Sequence, residues 1–188
     1  MQIIGGVNMN NIGTRRFETE RLILRRFKLS DVDAVFDNWA SDEEVSRYVG
    51  WNAHKDKIET LQLVSGWIED YKNKSYNWAV ELKDTHELIG NISAFNVSKK
   101  NSNCEIGYCY GREFWGRGYA TEALKAVLDH MLKECEMHIV EAKHYSLNPS
   151  SGRVMQKAGM IKEAVLKERR YEEASKTYSD LIYYSKKL

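Results

Sequence analysis

Glycines, arginine and aromatic residues crowd one stretch of this sequence: Tyr108-Cys109-Tyr110, then Trp115-Gly116-Arg117-Gly118-Tyr119-Ala120-Thr121-Glu122-Ala123. Residues of these types in this order suit an anionic ligand. Glycines let a backbone approach a ligand closely and turn several N–H groups on one point. Ala120, Ala123, Leu124, Val127, Leu128 and Met131 then recur at helical spacing, so the turn opens a helix. A helix start carries N–H groups without intrahelical acceptors and a partial positive charge, which suits phosphate or pyrophosphate. Two nucleotide loops fail on the residues. A P-loop needs Lys and then Ser or Thr after its last glycine, whereas Arg117-Gly118 follows the Gly111–Gly116 gap. A dinucleotide fingerprint needs Gly or Ala where Thr121 stands, early in a βαβ unit rather than behind three strand-like runs. A plain helix cap is the alternative for the turn.

Other reactive side chains form no constellation. His54, His86, His130, His138 and His144 are scattered, and none stands at nucleophile or metal spacing from Cys or Asp, so no metal is expected. His144 is near the strand expected to face the chemistry, which leaves substrate contact open to it. Cys109 would need an activating base to act as a nucleophile, and a small packed side chain is the simpler reading. Cys104, Cys109 and Cys135 make an odd set without a framework, as in a reduced, cytoplasmic protein. A net charge of +1 gives no long-range pull toward nucleic acid or a membrane surface. The apolar runs are too short to span a bilayer, and no signal peptide is apparent.

The elements that must carry the turn are legible in outline. A chain of 188 residues, 43% hydrophobic and 29% charged, suits one domain, expected over 14–188. Residues 1–13 read as a poorly ordered extension, with Met9 as an alternative start. Leu22-Ile23-Leu24 predicts a strand. Ser30 as N-cap with Val32, Val35, Phe36 and Trp39 predicts a helix to Ala40. A second helix is predicted over 56–73, with Ile58, Leu61, Val64, Trp67 and Ile68 on one face. Strands follow at 76–82, 88–97 and 104–110 as an antiparallel meander. The helix after the glycine turn runs to about Glu134, and a strand covers 139–145. Pro149 starts a helix that Gly159 ends, and strands cover 164–171 and 177–185. The order is that of an α/β domain with a mixed sheet.

Four motifs in sequence order then resemble the GNAT superfamily of N-acetyltransferases, from Thr19 nearly to the C-terminus. Gly118 and Ala120 match the last two fixed positions of its acetyl-CoA loop. Trp115 replaces the usual Arg or Gln, a departure found in the branch of ribosomal-protein N-terminal-alanine acetyltransferases. That branch also resembles this chain in Thr-Glu-Arg-Leu-Ile-Leu-Arg at 19–25 and in Glu-Ile-Gly-Tyr at 105–108. Its later signature matches Asn148, Ser151, Arg153, Val154, Lys157 and Gly159. The resemblance implies the GNAT acetyltransferase fold, a central mixed sheet of about seven strands flanked by about four helices.

The resemblance also implies roles. Acetyl-CoA, the co-substrate, would enter a V between the family's fourth and fifth strands. Tyr108, Cys109 and Tyr110 would take its pantetheine arm by backbone pairing, and Trp115, Gly116, Arg117, Gly118, Tyr119, Ala120 and Thr121 its phosphates. Arg117 either adds a cation for phosphate oxygens or is an exposed arginine. Asn148 either reaches the cofactor or simply caps its helix. Glu105 is the candidate general base, against a salt-bridging or substrate-binding carboxylate. Ser151 is the candidate acid or partner for the CoA sulfur, against a helix-start serine satisfying amides. Met155 stands where many relatives carry an acidic tyrosine, and Lys143 where many carry a carboxylate. The acceptor implied is a primary amine: the α-amine of a protein or peptide, or a small molecule such as an antibiotic, polyamine or amino-acid derivative. A non-catalytic acyl-CoA-binding module is the rival of another class. A homodimer is compatible with the resemblance; composition does not bear on it.

Overall fold

The computed structural model describes residues 9–173 and 175–188. The expected extension at 1–13 thus lies, from 1 to 8, outside the described residues. Within the remainder, Asn10 N–H donates to Cys135 O at 2.9 Å. Strand β1 is Phe17–Glu18, β2 Leu22–Arg25, β3 Tyr76–Leu82, β4 Leu88–Ser98, β5 Asn103–Tyr110, β6 Ile139–Tyr145, β7 Ile161–Glu172 and β8 Thr177–Lys187. Helix α1 is Val32–Val35, α2 Glu43–Ser46, α3 Lys57–Asp70, α4 Tyr119–Asp129 and α5 Pro149–Lys157. Among the described residues this makes eight strands and five helices, against about seven and four expected. The additions are short: β1 has two residues and α2 is one turn, capped by the Asp42 carboxylate, which accepts from the N–H groups of Glu44 and Val45. Neither is long enough to show a period.

The first helix differs from expectation. Leu29–Asp31 form a 3₁₀ turn, α1 follows, and Phe36–Ala40 widen into a π turn whose Phe36 carbonyl accepts both Ser41 N–H and Oγ. Ser30 does not cap it. Lys28 precedes the 3₁₀ turn, and Asp31, the third residue of that turn, reaches back to accept Lys28 N–H at 2.8 Å while also held by Arg25. A carboxylate paired with a guanidinium makes stronger hydrogen bonds than a serine hydroxyl. In α3 the capping residue is Asp56, whose carboxylate accepts from Ile58 and Glu59 N–H. Its buried face runs through Thr60, Val64, Trp67 and Ile68, whereas Ile58 and Leu61 are 64% and 43% exposed.

The strands form one sheet in the order β1-β2-β3-β4-β5-β6-β8-β7. β2 and β3 are antiparallel, β5 and β6 parallel, and β8 lies antiparallel to both β6 and β7, so the sheet is mixed as expected. Contacts divide the chain into two compact units: 13–93 with 107–124, and the described part of 1–12 with 94–106 and 125–188. In the first, Phe27, Val35, Trp39, Val64, Ala79 and Leu88 form a buried cluster, with Trp51, Trp67 and Cys109 partly buried against it. In the second, α5 starts on its Asn148 cap with Pro149 in the first turn, and Met155 faces inward. Gly159 follows at φ +83°, the left-handed stop expected of it.

Candidate active site

The glycine turn and its strand belong to the first unit. β4 approaches the end of β5 at Gly90, where a β-carbon would stand 2.4 Å from Cys109 O and 2.6 Å from Tyr110 Cδ1. Only glycine allows that approach. Burial drives the Cys109 thiol up to about 12, and its S–H donates to Asn91 Oδ1 at 3.1 Å. The group is a packed thiol rather than a thiolate nucleophile. Tyr110 is buried, and its carbonyl accepts the indole N–H of Trp115 at 2.7 Å. Trp115 thereby fastens the head of the turn to the strand end, which gives this departure from the usual motif a physical reason.

Gly116 and Gly118 have φ of +75° and +86°, the left-handed region that other residues enter at a cost. Residues 115–118 are exposed. The first rung of α4 is Glu122 N–H to Gly118 O at 3.0 Å, so the amides of 119–121 stand ahead of it without intrahelical acceptors. A β-carbon on Gly116 would meet nothing within 4 Å, so the space beside it is open. Arg117 is exposed, its guanidinium 5.8 Å from the Phe114 ring centroid. Open amides at a helix start, with the Arg117 cation beside them, fit a pyrophosphate group.

The sequence reading missed the group that supports this turn. Glu122 accepts from Thr19 Oγ1 at 2.5 Å, Arg21 N–H at 2.8 Å and Arg21 Nε at 2.7 Å. Arg21 also donates through Nη1 to Arg117 O at 3.1 Å and lies 4.6 Å over the Tyr119 ring. Burial opposes the charge on Glu122, but these bonds outweigh it and hold the carboxyl below its ordinary value. Thr19 and Arg21 lie in the 19–25 stretch, and Glu122 in the run that follows the glycine turn. Their spacing in sequence gave no sign that they meet.

Glu105, Lys143, Asn148 and Ser151 belong to the second unit. Glu105 pairs in register with Glu141 of β6, which puts Lys143, two residues on, on the same face. Lys143 Nζ lies 2.9 Å from both Glu105 carboxylate oxygens. Burial opposes the Lys143 charge, yet the pairing with Glu105 outweighs it and raises its pKa. Asn148 caps α5, its Oδ1 accepting Ser151 N–H at 3.2 Å. His144 is buried, with Nδ1 2.9 Å from Tyr145 O, and desolvation holds its pKa below the ordinary imidazole value. Its ring lies under α5, so a β-carbon on Gly152 would come within 2.5 Å of Nε2. The ring is therefore packed beneath the helix that presents Asn148 and Ser151. Of the sequence-predicted residues, Tyr108 to Thr121 fall together in one unit, and Glu105, Asn148 and Ser151 in the other.

Residues 21–161 match the model of the acetyltransferase (GNAT) domain family. The chain is 31% identical over 167 residues to the uncharacterized N-acetyltransferase YoaA of Bacillus subtilis (strain 168), covering 88% of this chain and 93% of that one. It is 25% identical over 168 residues to the ribosomal protein uS5-alanine N-acetyltransferase of Escherichia coli (strain K12), covering 85% and 84%. Among solved structures it resembles a GNAT-family acetyltransferase from Bacillus anthracis, with a TM-score of 0.79 and 28% identity over 92% of this chain and 98% of that one.

Proposed function

The chain belongs to the GNAT family of acetyl-CoA-dependent N-acetyltransferases, and from that premise we propose that it acetylates the α-amine of a protein or peptide N-terminus. What carries the cofactor half of this reading is the open run of amides ahead of the Glu122–Gly118 rung. The pyrophosphate of acetyl-CoA is taken by the amides of Gly116 to Thr121, with Arg117 beside it. The pantetheine arm pairs with the backbone at Tyr108 to Tyr110. The acceptor is suggested by the similarity to the uS5-alanine acetyltransferase.

The chemistry is direct. The neutral amine nitrogen attacks the thioester carbonyl, the new N–C bond forms, and the C–S bond breaks. Glu105, itself or through water, takes the proton the amine loses and later returns it to solvent. The Ser151 hydroxyl hydrogen-bonds the leaving thiolate, which takes up a proton from solvent to leave as the thiol. The Glu105–Lys143 pair holds the carboxylate in one orientation on its strand face. By the resemblance Lys143 stands where many relatives carry a second carboxylate, which puts more weight on Glu105 or a water chain.

The test measures thiol release from acetyl-CoA with a panel of peptides and small amines. Glu105→Gln is expected to cut turnover about 10²-fold or more with acetyl-CoA affinity kept. An unchanged pH–rate profile in that variant removes Glu105 from the role. Turnover of small amines alone replaces the peptide acceptor, and cofactor binding without turnover on any acceptor overturns the catalytic reading.

A further inference from the structure

We propose that Arg21 is a positioning residue for the phosphate-binding turn, locking the Arg117–Gly118 peptide so that Gly118 N–H faces the ligand side. The inference rests on the reading that the 116–121 turn takes the pyrophosphate of acetyl-CoA.

One peptide plane decides which group faces the anion. In a trans peptide the C=O and the following N–H point in opposite directions. Arg21 Nη1 donates to Arg117 O at 3.1 Å, so the carbonyl is turned toward Arg21 and Gly118 N–H is turned away from it. This peptide enters Gly118, a residue that accepts φ of either sign, so without a partner it flips at little cost. A flipped peptide presents a carbonyl oxygen to the anion instead of a donor.

Arg21 is itself held against rotation. Its Nε and Nη2 both lie 2.7 Å from Glu122 Oε2, its backbone N–H donates to Glu122 Oε1 at 2.8 Å, and its guanidinium covers Tyr119 at 4.6 Å. Thr19 completes the frame: its hydroxyl donates to Glu122 Oε1, and its oxygen accepts Leu22 N–H at 3.1 Å. The fork geometry matters, because one planar group must serve a carboxylate and a carbonyl together. Glu122 already neutralises the Arg21 charge, so orientation of an amide, rather than added positive charge, is the effect.

Steady-state kinetics with two acyl donors test this. In Arg21→Gln, KM for acetyl-CoA is expected to rise about tenfold with kcat kept at saturation, because uniform binding is lost. KM for acetyl-pantetheine, which has no pyrophosphate, is expected to stay at the wild-type value. Arg21→Lys keeps the charge but not the fork, and is expected to behave like Arg21→Gln; it carries the comparison if Arg21→Gln does not fold. A wild-type KM for acetyl-CoA in either folded variant overturns the proposal. So does an equal rise on both donors, which marks a general loss of structure. Gly118→Asp separates this inference from the reading beneath it. Acetyl-CoA binding lost there while the Arg21 variants stay normal overturns the Arg21 role alone. Normal binding in Gly118→Asp overturns the pyrophosphate placement itself.

Discussion

At the scale of single residues, sequence types named the candidates but not their partners. Trp115 was legible as an unusual residue at the head of the turn, while its bond to Tyr110 O depends on the path of the chain between them. Glu105 was legible as a carboxylate on a predicted strand. Its contact with Lys143 became visible only once β5 and β6 were in register. Gly90 carried no sequence signal at all, because its need arises from β5 backbone atoms 2.4 to 2.9 Å from where its β-carbon would be. Gly90→Ala is therefore expected to destabilise the protein by about 1–3 kcal/mol through overpacking. The added carbon meets backbone, which cannot rotate aside. A urea midpoint equal to that of the wild type would contradict this.

Among elements, periodicity gave the correct types and approximate ends for the strands and long helices, since local patterns fix local geometry. It failed where two apolar faces compete. In α3 the run of Ile58, Leu61, Val64, Trp67 and Ile68 reads as one stripe, but the core selects the stripe through Thr60 and Val64 and leaves Ile58 outside. The first helix failed at its cap: Lys28 precedes its opening turn, and Asp31 turns its carboxylate back onto Lys28 N–H and Arg25. α3 also supports a stabilising change. Gly66 is exposed in mid-helix, and a β-carbon there meets nothing within 4 Å. Gly66→Ala is expected to add about 0.5–1 kcal/mol by reducing the freedom of the unfolded chain and improving helix propensity. The check is an upward shift of the denaturant midpoint with an unchanged slope; a downward shift would show that the site is not open.

For the whole molecule, the ionisable network sets how stability depends on pH. Burial works against the charges of Glu81 and Glu122, but His86 and Arg25 around the first, and Thr19 and Arg21 around the second, hold both below the ordinary 4.5. A carboxyl lowered in the folded state binds protons more readily when unfolded. The stability it supplies is complete above about pH 4.5 and is lost as pH falls through the folded values. His144, lowered below 6.5 by desolvation, begins an earlier loss in the same direction, since the unfolded imidazole protonates first. Melting temperature is thus expected to fall on acidification below about pH 6.5 and more steeply below 4.5, with Glu81→Gln/Glu122→Gln flattening the steeper limb. An equally steep limb in the double variant would remove these groups as its cause. The sequence by itself determined the turn, its helix, the strand sequence and the family, because these rest on residues close together in the chain. Only the tertiary structure decided that β8 inserts between β6 and β7, that Lys143 meets Glu105, and that Arg21 clamps Glu122 from 101 residues away. Such pairings are chosen by which burial and hydrogen bonding the whole chain can satisfy at once, and no local pattern records that choice.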